Sequence, residues 1–346
     1  MKKLLSMLCA LMLFCSAAVA ENSSCDRAEA MRAAFLEKAD EVIVTDTSVI
    51  FTDASGSEPL EISKNPHNAA LLYGSFATLW YEAGGVASGI IGGSSSVALY
   101  KEYIGRDVTL DEGVTVLAES SSGKNWSTEN IIAFQPDLII CSTSMSGYKT
   151  ISAPAAAAGI PVIAVSYNDF SDYLKWFKVF CNLNDRADLW DSVAIPALDR
   201  VTEIIRRIPD DAQNAPRVFS MFSATNDSLT ANTSNTVLGG MIVELGAVNI
   251  SDADNASGAE RIEINLESVY AADPDLIVVQ CHASTDDDAA QVNGVMGGNA
   301  VWQALRAVST GNVYYLDPYL FHYKTNSRFA DAYLTLAGIL YPAIEF

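Results

Sequence analysis

Apolar and polar positions follow two different rhythms near the start of the chain. Over residues 26–39 the apolar residues recur at helical spacing, as in Ala28, Met31 and Phe35, which predicts an amphipathic helix. From residue 41 to 63 they alternate with period two, and the sequence DASGSEP interrupts the alternation. Because clusters of Gly, Ser, Asp and Pro form turns between strands, this segment predicts a β-hairpin.

The most informative pattern is an internal repeat. Residues 129–141 read ENIIAFQPDLIIC, and residues 267–281 read ESVYAADPDLIVVQC. Each copy predicts a short helix, a Pro-Asp turn and a strand. The strands are continuously apolar, which is typical of parallel strands that are covered on both faces.

The repeat extends on both sides of these two segments. Upstream, residues 78–92 and 241–251 each predict a helix that ends at glycine and a strand that follows it. Downstream, residues 155–166 and 304–317 each predict a helix, a glycine turn and a strand. This alternation predicts an α/β fold with two similar lobes, each a mainly parallel sheet flanked by helices.

The segment between the two halves is predicted to bridge them. Residues 172–180 read as a short amphipathic helix, and residues 186–208 read as a long connector helix that Pro196 should kink or divide. The apolar seam of the long helix consists of Leu189, Val193, Leu198, Val201 and Ile205. The predicted organisation is a signal peptide (1–20), an N-terminal lobe (21–168), connector helices (169–208) and a C-terminal lobe (209–346).

The first twenty residues have the pattern of a secretory signal peptide. Two lysines precede an uncharged apolar run over residues 4–19, which ends in the small-x-small sequence AVA. A membrane anchor is an alternative, but the run is short and no basic stop-transfer segment follows it. A lipid-modified Cys15 or Cys25 is another, although neither follows the residues of a lipoprotein cleavage site. We expect a soluble, exported, periplasmic protein.

Composition and charge narrow the possible functions. Half of the 346 residues are hydrophobic, which is typical of a globular chain. Lys and Arg total 21 against 42 Asp and Glu, so the formal net charge is −21. A surface this acidic repels phosphate backbones, and we therefore expect no nucleic-acid partner.

The cysteines and the known catalytic motifs indicate neither a metal centre nor an enzyme. Four cysteines remain after the leader, Cys25, Cys141, Cys181 and Cys281, and their wide spacing favours buried free thiols over a zinc site while leaving disulfide pairing open. The chain has no GxSxG, HExxH or GxGxxG sequence, and the segment around SSGKN lacks the first glycine and the Ser or Thr of a P-loop. We expect a protein that is not an enzyme and requires no cofactor.

Candidate ligand-binding residues follow from position alone. Ligands of open α/β sheets bind beyond the carboxyl ends of the strands, and two lobes with facing strand ends would form a cleft. The strand ends place Met221 and Phe222 at this edge of the second sheet. The predicted binding residues are Tyr73, Trp126, Tyr148, Tyr167, His282, His322, Tyr323, Lys324 and Arg328.

Several of these residues have a structural alternative. Tyr73 could pack at a strand end, and a structural hydrogen bond explains His282 equally well. The sequence FHYKTNSR could be a helix start that is capped by one of residues 325–327. Trp126 lies in a polar loop, which gives it little reason to be part of the core.

The order of these segments resembles a known family. The chain carries YGSFATLWYEAGG, ENIIAFQPDLIIC, a long connector, NTVLGGMIVELGAVNI, ESVYAADPDLIVVQ, WQALRAVSTGNVYYLD and FHYKTNSRFADAYLTLAGILYP in this order. It looks like the substrate-binding proteins of ABC importers for ferric siderophores, haem and cobalamin. The resemblance implies two lobes bridged by a long helix, and a ligand that is handed to a membrane permease and its ATPase. It also implies acidic docking residues, for which Glu82 and Glu244 are candidates.

The resemblance leaves the ligand open. Lys324 and Arg328 are few cations for a strongly anionic catecholate, whereas haem binders of this family often ligate iron with Tyr or His. Cobalamin binders stack aromatic rings around the corrin, as Trp126 and Tyr73 could. Three histidines argue against a binder of bare zinc or manganese.

The sequence therefore predicts an exported, monomeric solute-binding protein that captures an iron chelate, a siderophore or haem, between two lobes. A cobalamin- or corrinoid-binding protein is the alternative. A chelatase-like or reductase-like enzyme on the same two-lobe plan, and a surface adhesion or sensor domain, are less favoured.

Overall fold

The computed structural model describes residues 24–56, 58–211 and 213–346. The predicted signal peptide (1–20) lies outside the described residues. The chain forms two compact units. The N-terminal unit is Phe35–Pro196, and the C-terminal unit is Ala197–Phe346 together with the described residues up to Ala34. Within the described part of the chain, no helix is both long enough and apolar enough to cross a membrane.

The N-terminal unit contains two sheets. Helix α1 covers residues 24–40, which confirms the first predicted helix. The strands are β1 Ile43–Val44, β2 Ser48–Phe51, β3 Leu60–Ser63, β4 Ala69–Leu71, β5 Gly89–Ile91, β6 Thr115–Ala118, β7 Leu138–Ser142 and β8 Val162–Val165. The helices are α2 Gly74–Glu82, α3 Ser94–Tyr103, α4 Thr128–Ala133, α5 Ser146–Ala157 and α6 Phe170–Leu183, with a 3-10 turn at Val108–Leu110.

The two sheets of this unit differ in strand direction. Strands β1, β2 and β3 form an antiparallel sheet, so the predicted hairpin is confirmed and β1 adds a third strand. The main sheet has the order β6-β5-β4-β7-β8, and all of its neighbouring strands are parallel. The carboxyl ends of its strands therefore meet at one edge.

The C-terminal unit is built on a single mixed sheet. Its strands are β9 Arg217–Ser223, β10 Leu229–Asn232, β11 Val248–Asn249, β12 Arg261–Ile262, β13 Leu276–Gln280 and β14 Val313–Leu316. Its helices are α7 Ile195–Arg207 (from Ala197), α8 Val237–Glu244, α9 Leu266–Ala272, α10 Thr285–Met296, α11 Ala300–Ala304, α12 Arg306–Ser309, α13 Pro318–Phe321 and α14 Phe329–Leu340, with 3-10 turns at Ile250–Asp254 and Asn326–Arg328.

Strand order in this sheet is β12-β10-β9-β13-β14, and β11 also pairs with β9. Strands β9, β11, β13 and β14 are parallel, whereas β10 runs antiparallel to both of its neighbours. The α/β fold class with mainly parallel sheets is confirmed. The antiparallel pair β10–β12 at one edge was not predicted.

The internal repeat is confirmed as a structural unit. Helix α4 and strand β7 form the first copy, and α9 and β13 form the second. Every residue of β7 and of β13 is buried, as continuous apolar runs in parallel sheets require. Ser127 and Asn265 cap the two helices by accepting backbone N–H groups of the first turn.

The connector helix continues through Pro196, so of the two predicted outcomes, a kink or a division, the division does not occur. Residues 188–207 are helical without interruption, so Pro196 does not divide the helix. A π-helical turn at Trp190–Ala194 lies directly before α7. Its wider hydrogen-bonding pattern accommodates the proline ring and the missing N–H, which would otherwise break an α-helix. The boundary between the two units falls at Pro196 and Ala197, inside this helical stretch.

All four described cysteines are free thiols. Cys141, Cys181 and Cys281 are fully buried, and Cys25 is half-buried. Burial raises the pKa of each of the three buried thiols to about 12. These side chains therefore stay protonated and act as packing residues rather than nucleophiles.

Candidate functional site

Aromatic and imidazole side chains gather at the carboxyl edge of the sheet in the C-terminal unit. Phe222 lies inside β9, which runs to Ser223, and its predicted companion Met221 is instead fully buried in the core. His282 follows β13 after one residue, and His322 directly follows α13. The three parallel strands β9, β13 and β14 thus carry these groups to one place.

His322 is the centre of this group. Its ring is stacked on Phe222 with 5.3 Å between ring centroids and 13° between planes. The rings of His282 and Tyr323 each lie 4.8 Å from the His322 ring. We call Phe222, His282, His322 and Tyr323 the aromatic–histidine cluster.

The surroundings of His322 keep its ring neutral. Burial lowers the pKa of His322 to about 3. The electrostatic effects of His282, Arg261 and Lys324, which lie nearby, lower it further. The Nδ1 atom is buried and has no hydrogen-bond partner among the described residues. A neutral imidazole carries a free lone pair, so His322 has the chemistry of a metal ligand or a hydrogen-bond acceptor.

Arg261 belongs to the site and was missed in the sequence. Its guanidinium lies over the Phe222 ring, 4.2 Å from the centroid. Its Nε donates to Asn232 Oδ1 at 3.0 Å, and desolvation lowers the pKa of Arg261. The residue as a whole is exposed, so its charge remains available at the surface. No pattern in the sequence marked it, because its strand β12 is only two residues long.

A buried carboxylate fixes the loop that carries His282. Asp288 is 3% exposed and lies in the first turn of α10. Its Oδ2 accepts the backbone N–H groups of His282, Ala283 and Ser284 at 2.9 to 3.2 Å. The loop is therefore held rigidly at the mouth of the cluster.

The other predicted residues of this unit follow His322 directly. Tyr323 is half-buried beside Tyr319, with 5.7 Å between the rings, and burial raises its pKa. Lys324 is half-buried and close enough for its charge to act on His322. Arg328 is half-buried in the 3-10 turn that precedes α14, and its role in binding stays a prediction. Helix α14 has no side-chain cap, contrary to the alternative for residues 325–327.

In the N-terminal unit, Tyr73 lies where the sequence puts it. It follows β4 and is the N-cap residue of α2, with its ring 4.6 Å from that of Phe76. The N–H of Gly74 donates to Ser121 Oγ at 3.3 Å, which brings the loop before α4 to the start of α2. Tyr73 is half-buried, so the predicted ligand role and the packing role are both compatible with its position.

Trp126 and Tyr148 pack against the core of the same unit. The Trp126 indole donates to Ser120 O at 2.6 Å, and its ring occupies the space that a side chain at position 147 would need, so Gly147 is required there. Tyr148 covers the same core cluster, and burial together with the charge of Asp53 raises its pKa. Both residues are half-buried. Trp126 therefore has a packing role, although the sequence placed it in a polar loop.

The prediction that Tyr167 binds the ligand does not agree with its burial. It follows β8 as predicted, but it is only 2% exposed, and its ring packs between Phe76 and Tyr173. A strand-end position gives no information on side-chain direction, and the aromatic residues of α2 and α6 enclose this ring. Tyr167 is therefore a core residue of the N-terminal unit and is not accessible to a ligand.

A groove elsewhere on the C-terminal unit is a poorer candidate site. It has a volume of about 600 Å³ and runs along α7, where four arginines line it. Arg32 and Arg200 are paired with Asp199 and Asp331, and Glu203 holds the other two arginines. Because acids neutralise these cations, the groove has little charge to offer a ligand.

The described residues were compared with the donor sets that bind metal ions. Within residues 24–56, 58–211 and 213–346, no group of three or more His, Cys, Asp or Glu side chains could hold a metal ion. The two imidazoles of the aromatic–histidine cluster could contribute ligands to a metal only if other donors came with it.

Comparison with known proteins identifies the family and the fold of the chain. The chain is 23% identical over 242 residues to YhfQ of Bacillus subtilis (strain 168), a lipoprotein named as a substrate-binding protein of an ABC transporter, with 68% of this chain and 72% of that protein covered. The fold is similar to that of the haem-binding protein RhuT of Roseiflexus sp. RS-1, with a TM-score of 0.61, 18% identity, and 81% and 99% of the two chains covered.

The triscatecholate siderophore binding protein FeuA of Bacillus subtilis, complexed with ferri-bacillibactin, has a similar fold, with a TM-score of 0.62, 18% identity, and 85% and 98% covered. The periplasmic binding protein family matches residues 75–320, which include both copies of the repeat and, of the aromatic–histidine cluster, Phe222 and His282. The resemblance seen in the sequence is thereby confirmed, and the chain belongs to the periplasmic binding protein family.

Proposed function

We propose that this chain is the exported substrate-binding protein of an ABC importer and that it captures an iron chelate, either a siderophore or haem. The observation that carries the ligand class is the aromatic–histidine cluster, with His322 stacked on Phe222 and flanked by His282 and Tyr323. Imidazole and phenol groups are suitable iron ligands, and the flat rings suit a flat or aromatic ligand.

Charge supports the same class of ligand. Haem carries propionate groups and ferric catecholate complexes are anionic, and Arg261 and Lys324 supply positive charge beside the cluster. The sequence had offered only Lys324 and Arg328, so Arg261 weakens the argument against an anionic chelate. Among the proteins with a similar fold, FeuA is named for a siderophore and RhuT for haem, which fits this proposal.

The mechanism that we propose is binding without chemistry. The ligand is held by ring stacking and charge-assisted hydrogen bonds and is then released to a membrane permease that its ATPase drives. Capture between two lobes, as the sequence predicts, stays a prediction. We propose that the protein acts as a monomer.

Two glutamates are candidates for contact with the permease. Glu82 and Glu244 are the last residues of α2 and α8, where the helix dipole disfavours a carboxylate. Each is beside a fully buried tyrosine: the charge of Glu82 acts on Tyr173, and Tyr333 donates a hydrogen bond to Glu244. Both units thus have a carboxylate at a helix end where the helix dipole disfavours it. We propose that a cationic group of the permease binds these carboxylates.

Export is proposed from the leader sequence. Removal of residues 1–20 leaves a chain that begins at Glu21, whereas lipid modification would leave a chain that begins at a cysteine. Mass spectrometry of the protein recovered from cells distinguishes the two. The relative YhfQ is described as a lipoprotein, which makes this measurement necessary.

The binding proposal is tested with a panel of ligands. Purified chain is titrated with haemin, cobalamin and the ferric complexes of a catecholate, a hydroxamate and citrate, while the fluorescence of its five tryptophans is recorded. Saturable quenching by haemin or by a ferric chelate supports the proposal. Quenching by cobalamin alone would favour the corrinoid alternative, and a folded chain that responds to none would contradict an uptake role for metal chelates.

A further inference from the structure

A buried chain of side-chain amides lies beneath the aromatic–histidine cluster. Gln280 is the last residue of β13 and is 4% exposed, and Asn232 is the last residue of β10 and is fully buried. Asn232 Nδ2 donates to Gln280 Oε1 at 3.0 Å. Amides this deeply buried are retained at a high desolvation cost unless their hydrogen bonds are satisfied.

These hydrogen bonds have a single direction. Gln280 Nε2 donates to the carbonyl of Phe321 at 2.6 Å, which leaves Oε1 to face Asn232. Asn232 Nδ2 then donates to Gln280, so its Oδ1 faces Arg261 Nε and accepts from it at 3.0 Å. A carboxamide has a donor end and an acceptor end of almost the same shape, and only its partners decide which way it points.

The two ends of this chain of bonds lie at the site itself. One end is Arg261, whose guanidinium covers Phe222. The other is the carbonyl of Phe321, the residue directly before His322. A reversed Gln280 amide would present its N–H₂ group to that of Asn232 and its oxygen to the Phe321 carbonyl.

The geometry points to Gln280 as a positioning residue of the candidate site, which orients Arg261 through Asn232 and holds the turn that carries His322. This inference rests on the proposed function, because the affinity that it changes is that for an iron chelate. Gln280 itself lies below the cluster and acts through Arg261 and His322.

The test uses binding and a signal that needs no ligand. Gln280→Met keeps the length of the side chain and removes its hydrogen bonds with Asn232 and Phe321 and the longer one of 3.5 Å from Arg261 Nη2. We expect its affinity for haemin, or for the ferric catecholate if that is the complex bound, to fall about 10- to 100-fold. In an Arg261→Gln background the same substitution should lower affinity by less than it does in the native chain, because only the contact to Phe321 and the turn that carries His322 remains to be lost. Ser142→Ala, at the same position of the first copy of the repeat, is the matched control and should change affinity little.

Gln280→Glu separates the two ends, since it keeps an acceptor for Asn232 and loses the donor to Phe321. The ligand-free readout is the side-chain Nε–H signal of Arg261 in NMR spectra, which should exchange with water faster in Gln280→Met than in the native chain and in Ser142→Ala. An unchanged signal, or an equal loss of affinity with and without Arg261, would overturn the inference.

The two proposals fail differently. If the native chain binds neither haemin nor the ferric catecholate, the proposed function fails, and the Arg261 signal still decides whether Gln280 orients Arg261. If the native chain binds and Gln280→Met binds equally well, only the positioning role of Gln280 is wrong. If Gln280→Met does not fold, Gln280→Leu, which removes the same hydrogen bonds, replaces it in both measurements.

Discussion

The two copies of the repeat perform the same structural task at their Pro-Asp turns. Asp137 accepts the backbone N–H groups of His67 and Asn68, just before β4, and Asp275 accepts that of Arg217 at the start of β9. In each copy the residue before the proline is left-handed, with φ of 54° at Gln135 and 45° at Asp273. The repeated aspartate therefore fastens the start of the neighbouring strand in both units.

The copies differ at the carboxyl end of their strands. Ser142 ends β7 and bonds locally, with 2.7 Å between its Oγ and that of Ser144. Gln280, at the same position of β13, reaches Asn232 and Phe321, which are distant in sequence. The same local sequence pattern thus forms two similar scaffolds, whereas one side chain that bonds over long range organises a polar site in only one of them.

The largest difference between the two units is expected when the central imidazole of the cluster, His322, is removed. We expect His322→Ala to lower the affinity for haemin about 10- to 100-fold, because both a stacking partner and a neutral nitrogen ligand are lost. Titrations followed by tryptophan fluorescence and by the haem absorption band measure the change. Tyr73→Phe, at the corresponding edge of the N-terminal unit, is the comparison and should have the smaller effect.

A larger loss in Tyr73→Phe than in His322→Ala would reverse the assignment of the site to the C-terminal unit. The haem absorption band adds a second criterion. A shift of the band in Tyr73→Phe or His282→Ala, but not in His322→Ala, would transfer iron ligation to the residue that causes it.

The shared structural role is tested at the repeated aspartates. Asp137→Ala and Asp275→Ala should each lower the free energy of unfolding by about 1–3 kcal/mol, since each leaves a backbone N–H without its charged acceptor. Urea denaturation at neutral pH measures the loss. Asp46→Ala, at an exposed aspartate in a turn, is the control. A loss at Asp275 without one at Asp137 would mean that the two turns are not equivalent.

Asp275 is expected to make the free energy of unfolding depend on pH. Hydrogen bonds from Arg217 and Arg306 outweigh desolvation and hold the pKa of Asp275 below its ordinary value. Its contribution to stability is therefore complete above the unfolded pKa of about 3.9 and is lost as the pH falls through the lower folded pKa. The difference between native chain and Asp275→Ala in urea should be constant from pH 7 to 5 and should shrink toward pH 3. A difference that grows on acidification contradicts this assignment.

In the N-terminal unit, Trp126 is expected to stabilise the fold. Its ring packs on Gly147 and its indole N–H is bonded to Ser120, so Trp126→Ala should lower the free energy of unfolding by about 1–2 kcal/mol. Denaturation and haemin titration of the same variant separate packing from binding. If Trp126 also stacks on the ligand, Trp126→Ala should weaken binding by about 1–3 kcal/mol. Loss of affinity without loss of stability would show that its packing is unimportant.

The last prediction concerns the ionisation of His322. Its folded pKa of about 3 is far below the unfolded value of about 6.5, so only the unfolded chain gains a proton between these values. The free energy of unfolding should therefore fall as the pH drops below 6.5, and less so in His322→Gln. NMR titration of the ring should show it neutral down to pH 5. A ring that titrates near pH 6.5 would mean that His322 is exposed to solvent.

Much of the fold could be predicted because it depends on local patterns. The apolar runs of β7 and β13, the glycine turns and the hairpin are visible within short windows of sequence. The pair β10–β12 was missed because β12 is only two residues long and has too few positions to establish a period. The continuation of the helix through Pro196 could not be predicted, because a single π-helical turn can accommodate a proline and no sequence pattern marks such a turn.

The site could be predicted only in part. Position after a strand correctly brings His282 and His322 to one edge, but it cannot give side-chain direction, and Tyr167 turned out to face the aromatic core. Arg261, Asn232 and Gln280 meet through contacts between residues that are 19 to 48 positions apart. Such contacts depend on strand order, which the sequence pattern did not reveal.

The central claim is that the aromatic–histidine cluster of the C-terminal unit holds an iron chelate. The most direct test is the titration of native chain, Arg261→Gln and His322→Ala with haemin and with the ferric catecholate complex. The account predicts saturable binding of one of these complexes by the native chain and a clear loss of affinity in both variants, with native stability in urea. Undiminished binding by both variants would contradict it and would place the ligand elsewhere on the protein.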